Sequence, residues 1–325
     1  MEKVFIGVDV SKFTLDLFVK FNKTEKHYQV KNNVKEIKKF LKSFQDEGST
    51  VIAMENTGRY NFALYEVLES TKVSVYVMNA LHLKRSFGLV RGKNDSIDSQ
   101  RICTFIERNF MDLELWNASS IEIQKLSLLN AERRHQVKIC AGLRNQHKDA
   151  EKLKNIAYKD VTKLNKQLIV TLDKQIKGIE NKILELINSN EQLKSQYERI
   201  QSIPGVGKVL ATLMIIKTKG FSDIQSARKM AFYAGVAPFE YSSGSSIYRK
   251  PRVSTIVDKV LKKVLHLAAL SSIRLKYVLA IYFQRKVAEV KNKMSILNAI
   301  RNKIIHRIYA LIKNESVYNF NLHVS

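Results

Sequence analysis

Apolar side chains alternate along residues 3–10 (KVFIGVDV) and 14–21 (TLDLFVKF), which predicts two strands separated by Ser11-Lys12-Phe13. Asn22-Lys23 predicts a turn into a third strand over 24–31. The period then lengthens. Val34, Ile37, Phe40, Leu41 and Phe44 share one face of a helix that Gly48 ends. A short apolar strand at 50–54, a helix at 60–69 and a strand at 72–78 follow. Three hairpin-like strands and then helix, strand, helix, strand make a mixed sheet with helical crossovers.

Strand signals stop beyond about residue 115. Residues 122–200 hold no proline and only two glycines. Within them Ile169, Leu172, Ile176, Ile179, Ile183, Leu186, Asn190, Leu193, Tyr197 and Ile200 keep a 3,4 spacing, a coiled-coil seam with Asn190 as one polar, register-fixing position. The spacing suits a helical hairpin within one subunit and pairing between subunits equally. Ser202–Gly207 (SIPGVG) breaks this arm, either as a plain tight turn or as a helix-hairpin-helix loop whose N–H groups hold a phosphate. Helices are expected from 208, over 226–234, 255–272 and 289–313, with a Gly/Ser-containing loop at 235–250. The domains predicted are therefore 1–120 with the sheet, 121–200 as the helical coiled-coil arm, and 201–325 as an all-helical C-terminal domain.

Charge adds a partner class. The 325 residues carry a formal charge of +25. Residues 1–100 contribute +4, 101–200 contribute +5, and 201–325 contribute +16 from 21 basic and 5 acidic side chains. Such a surplus attracts polyanions, which marks the last third as a nucleic-acid surface, with Lys208, Arg249, Lys250 and Arg252 as candidate phosphate contacts. Cys103 and Cys140 stand outside any CxxC pattern and predict neither a zinc site nor a disulfide. The start does not read as a signal peptide, and no apolar run reaches the length of a membrane span. A cytoplasmic protein facing DNA or RNA is expected.

The candidate chemistry lies in the least basic third. Asp9 sits inside the first apolar strand, Glu55 closes the strand 50–54, and Asp95 and Asp98 stand three apart at the start of a predicted helix. Carboxylates gathered at one sheet edge repel each other unless a hard divalent cation holds them, Mg²⁺ first and Mn²⁺ as a substitute. Two such ions are a known solution for phosphodiester chemistry. Helix capping by Asp95 and solvation of Glu55 explain the same residues without a metal. Asp16 and Glu66 read as solvated. The seven histidines show no metal-ligand spacing. In the loop YSSGSSIYRKPR, Ser242, Ser243, Ser245 and Ser246 lie among cations, as a nucleophile would need and as a phosphate-binding loop would also show. Tyr241 and Tyr248 flank it, placed to stack on bases or to pack.

Several of these segments, taken together, resemble the DEDD insertion-sequence transposases, the family that includes the Piv invertases. The matching stretches are VFIGVDVSK, the MENTGRY segment, KNDSIDS with Asn94 and Ser99 where the family more often has Thr and Ala, IPGVG at 203–207, AGVAP at 234–238, and Ser243-Gly244. The resemblance implies an α/β ribonuclease H-like (RuvC-like) N-terminal domain with the quartet Asp9, Glu55, Asp95 and Asp98. It also implies a long coiled-coil segment and a helical domain whose nucleophile is Ser243, with Ser242 its close rival. As partners it implies double-stranded DNA, a structured guide RNA encoded by the element, and a homo-oligomer, dimer or tetramer, with composite active sites. A hydrolytic RuvC-like endonuclease needs the quartet without the serine, and a non-catalytic nucleic-acid-binding protein needs neither.

Overall fold

A computed structural model describes residues 3–44, 49–78, 83, 86, 95–116, 121–153, 158–243, 247–253, 257–275 and 277–319. The chain forms two compact units, 1–118 and 119–325.

The first unit is built on β1 (Lys3–Val10), β2 (Thr14–Phe21), β3 (Thr24–Lys31), β4 (Ser49–Glu55) and β5 (Ser74–Met78). They lie in the order β3-β2-β1-β4-β5, and only β2 runs antiparallel to the rest. This is the ribonuclease H-like order that the sequence predicts. Asn22 takes a positive φ of 54° at the two-residue turn between Phe21 and Thr24, a conformation asparagine tolerates well. Helix α1 (Val34–Lys42) starts at Asn33, whose side chain accepts the Glu36 N–H. With α2 (Phe62–Glu69) it covers one sheet face. Val4, Ile6, Val8, Leu15, Leu17, Ile52 and Met54 fill the core there. Helix α3 (Asp95–Asn109) covers the opposite face, where Val51, Ala53, Tyr76, Ile102 and Ile106 pack together.

The second unit is largely helical. Helices α4 (Ile121–Leu153) and α5 (Lys159–Asn188) run antiparallel along each other, tied by Arg133–Glu180 at 2.6 Å and Arg144–Asp173 at 2.6 Å. Of the predicted seam, Ile169, Leu172, Ile176 and Ile179 are half-buried and Ile183 is buried. One expectation is corrected here. Asn190 is not a polar position inside a continuous seam. The helix ends at Asn188, and Asn190 caps α6 (Glu191–Gln201) by accepting the Leu193 N–H, because its side chain satisfies an end N–H better than a core position would satisfy it. The SIPGVG segment turns through Gly205, where φ is +86° and a Cβ would lie 2.3 Å from Ser272 Oγ.

Helices α7 (Lys208–Thr218), α8 (Ala227–Tyr233), α9 (Lys259–Arg274), α10 (Val278–Ala288) and α11 (Lys293–Lys313) complete the unit around one apolar core. Helix α10 has no counterpart in the predicted elements, and α11 begins four residues later than expected. The all-helical expectation also fails. Residues read as a Gly/Ser loop form a hairpin, β6 (Pro238–Ser243) against β7 (Ile247–Val253), with a register irregularity between Phe239 and Tyr241. Aromatic and β-branched residues on both flanks carry the strand preference, and the Gly-Ser centre supplies the connection.

Candidate active site

Strand alternation sorts the acidic residues. Val8 and Val10 point into the core under α1 and α2, so Phe5, Gly7 and Asp9 face α3. Val8 pairs with Met54 in the parallel register, which makes Asp9 and Glu55 the next residues of two adjacent strands. Val51 and Ala53 share the core of the α3 face, so Glu55 faces the same way. Both carboxyl residues are half-buried.

Gly7 sets the distance of the helix. A Cβ there would lie 2.2 Å from the Ser99 carbonyl oxygen and 2.3 Å from the Cys103 amide nitrogen, both backbone atoms of α3. Only a residue without a side chain lets the helix come this close. The Cys103 thiol donates to the Phe5 carbonyl at 3.4 Å, and Glu107 pairs with Lys20 at 2.8 Å further along. Lys20 is the strand partner of Phe5. The helix therefore runs antiparallel to β1, with its N-terminal turn at the Asp9 end. Asp95 and Asp98 belong to that turn. Glu107 raises the Lys20 pKa by hydrogen bonding, and burial pushes the Cys103 thiol up to about 12.

Asp98 accepts from Arg101 Nη1 at 2.9 Å. The side chain of Asp95 lies outside the described residues. The donor set of Asp9, Glu55 and Asp98 is all oxygen, which suits a hard divalent cation. Among the described residues, however, no three His, Cys, Asp or Glu side chains stand close enough to hold one ion. The residues fit such a metal in donor type and in their placement on one end of one sheet face.

One acidic residue at this end departs from its sequence reading. Asp16 is not solvated but 4% exposed. It stands opposite Asp9 in the β1–β2 register, and its Oδ1 lies 3.2 Å from His27 Nε2 and 3.3 Å from Gln29 Nε2. The signal was present in the sequence. A tight β1–β2 hairpin that pairs Val10 with Leu15 must pair Asp9 with Asp16. Glu66 is exposed, as expected.

In the second unit Ser243 is the last residue of β6 and pairs with Ile247. Ser242 pairs with Tyr248 and Tyr241 with Arg249. The hairpin's strands thus put Arg249, Lys250 and Arg252 on β7 beside the serine strand, while the side chains of Tyr241, Ser242, Ser243, Tyr248, Arg249, Lys250 and Arg252 lie outside the described residues, as do residues 244–246. Lys208 is the first residue of α7 and is exposed. Cys140, like Cys103, is a buried free thiol. Among the described residues no single helix is long and apolar enough to cross a membrane.

Comparison with known proteins matches both units. The chain is 26% identical to the pilin gene-inverting protein of Moraxella bovis over 99% of its own length and all of that protein, and equally so to its counterpart in Moraxella lacunata. A putative transposase of Sinorhizobium fredii is 25% identical over 82% of this chain and 72% of its own. Among solved structures, T. thermophilus RuvC in complex with Holliday junction substrate aligns at 16% identity with a TM-score of 0.28, covering 35% of this chain and 99% of RuvC. Residues 6–156 match the DEDD family model described as a transposase, and residues 197–284 match the model described as transposase IS116/IS110/IS902 family. By these two matches, in this order along one chain, the protein belongs to the IS110-type DEDD transposases.

Proposed function

We propose that the chain is a Mg²⁺-dependent DNA transposase or recombinase that cuts and rejoins strands through a serine nucleophile. The observation that carries this reading is the convergence of Asp9, Glu55 and the first turn of α3 on one end of one sheet face. Asp9, Glu55, Asp95 and Asp98 are the residues to hold Mg²⁺, or Mn²⁺ in its place. A bound ion there would supply positive charge beside the scissile phosphate and its leaving oxygen. The Ser243 hydroxyl attacks phosphorus and gives up its proton. The bond from phosphorus to the 3′-oxygen breaks, and that oxygen leaves as a 3′-hydroxyl. The phosphoserine link keeps the bond energy, and a 3′-hydroxyl of another strand reverses the step. Arg249, Lys250, Arg252 and Lys208 neutralise backbone phosphates. An element-encoded RNA would choose the DNA sites by base pairing, and a homo-oligomer would join the carboxylates of one subunit to the serine of another.

The test is a suicide DNA substrate that traps the covalent intermediate. Wild type should form an adduct, and Ser243→Ala should form none while binding the same DNA. An adduct with Ser243→Ala removes the serine assignment. Metal-dependent cutting by wild type with no adduct identifies a hydrolytic endonuclease instead. Sequencing the nucleic acid that co-purifies with the protein decides the RNA question.

A further inference from the structure

The β6–β7 hairpin is a two-stranded sheet among the described residues. An isolated hairpin of this size is marginal in water, so its direction depends on how its two legs are rooted. Both legs end on one half-buried carboxylate. Asp258 follows the return leg, and its backbone N–H donates to the carbonyl of Tyr233, which precedes the outgoing leg, at 3.0 Å. The Tyr233 hydroxyl donates to Asp258 Oδ2 at 3.2 Å, and Lys217 Nζ pairs with the same oxygen at 2.7 Å. The other oxygen, Oδ1, accepts the Val260 and Leu261 N–H groups at 3.0 and 2.8 Å and so starts α9. The outgoing leg is fixed further by Asn298, which donates to the Val236 carbonyl at 2.7 Å. Gly235, at φ +65°, lets the two legs meet: a Cβ there would lie 2.4 Å from Val257 Cγ1.

A carboxylate needed only to start a helix would not require a half-buried lysine on a third element. Burial opposes the charge of each partner, yet the Lys217 pKa is raised and that of Asp258 lowered, so the pair stays ionised at neutral pH. We infer that Asp258, held by Lys217 and Tyr233, is a positioning residue that locks both legs of the hairpin and thereby fixes the serine strand for attack on the DNA. The inference rests on the reading of Ser243 as the nucleophile for its catalytic consequence, but not for the locking itself.

Tyr233→Phe, Lys217→Met, Lys217→Arg and Asp258→Asn in the full chain test it. Asparagine caps helices as well as aspartate does, so Asp258→Asn removes the clamp and keeps the cap. Three quantities are read: amide exchange of residues 238–243 and 247–253, DNA affinity, and the rate of adduct formation at saturating DNA. The first, second and fourth variants should exchange hairpin amides about tenfold faster or more, and should form adduct about tenfold more slowly or worse, with DNA affinity within about twofold of wild type. Lys217→Arg should recover most of both losses. Unchanged hairpin exchange in folded Tyr233→Phe overturns the clamp. So does Lys217→Arg behaving like Lys217→Met. If wild type itself forms no adduct, the serine reading falls, and hairpin exchange alone still decides the clamp.

Discussion

Asp9 and Asp16 are direct partners across β1 and β2, so the strand that carries the candidate metal ligand faces a second, more deeply buried carboxylate. Asp16 is engaged from the β3 side by His27 and Gln29. Asp16→Ala removes the buried acceptor of two donors carried by exposed residues of β3, and such a hydrogen bond contributes about 0.5–1.5 kcal/mol net. Urea unfolding should show a loss of that size. Asp16→Asn, which keeps an oxygen toward Gln29, should lose less than Asp16→Ala. Equal losses would mean that the two donors find water instead.

Gly7→Ala should harm the site more than any surface change in the first unit. The new methyl group meets α3 backbone at 2.2 and 2.3 Å, and a helix backbone cannot rotate away as a side chain can. Overpacking of this kind costs about 1–3 kcal/mol, and here it also lifts the turn that bears Asp95 and Asp98 away from Asp9. The expected result is a folded but less stable protein whose metal-dependent DNA cleavage falls further than its thermal midpoint explains. Full cleavage by Gly7→Ala would separate the helix position from the chemistry.

Cys103 reports on the same contact. It is fully buried on Gly7, and burial pushes its thiol up to about 12, so at pH 8 it is protonated and shielded. A disulfide reagent should leave it unmodified in the native protein, with peptide mapping to distinguish it from Cys140. In Gly7→Ala the labelling rate should rise, because opening of the helix from the sheet becomes easier. Rapid labelling in wild type would contradict the packing of α3 on β1.

Much of the first unit was legible because its periodicities are strong. The bounds of β1, β2 and β3 coincide with the predicted strands, since alternation in KVFIGVDV and TLDLFVKF leaves one register that buries the valines and leucines. The burial of Asp16 is hidden in the sequence for the opposite reason. Its own segment looks like an ordinary polar position in a half-buried strand, and only the partner strand turns that position inward against α3. Asn190 shows a different failure. A 3,4 spacing continues across the break between α5 and α6 because both helices bury the same face in one core, so spacing alone could not reveal the end that the cap marks. In the hairpin, Gly244 and the serines dominated the composition and hid short strands on either side.

Acid should weaken the second unit through one pair. Arg301 on α11 is 6% exposed, and its Nη2 lies 2.9 Å from His266 Nδ1, while its Nε has no hydrogen-bond partner among the described residues. A guanidinium this buried needs the imidazole as a neutral acceptor. Burial and then the Arg301 charge accordingly lower the His266 pKa from its ordinary 6.5. In the unfolded chain His266 takes up a proton near that ordinary value. In the folded chain it resists, so the stability it contributes is complete above pH 6.5 and is lost as pH falls from there through the lowered folded value. The urea midpoint of the full chain, followed by its helical circular dichroism, should therefore drop between pH 7.5 and pH 5.5. His266→Gln keeps an acceptor for Arg301 and cannot be protonated. It should flatten that part of the pH profile without lowering the midpoint at pH 7.5 by as much as His266→Ala does. An unaltered acid slope in His266→Gln would show that protons enter elsewhere and that the Arg301 contact carries no acid sensitivity.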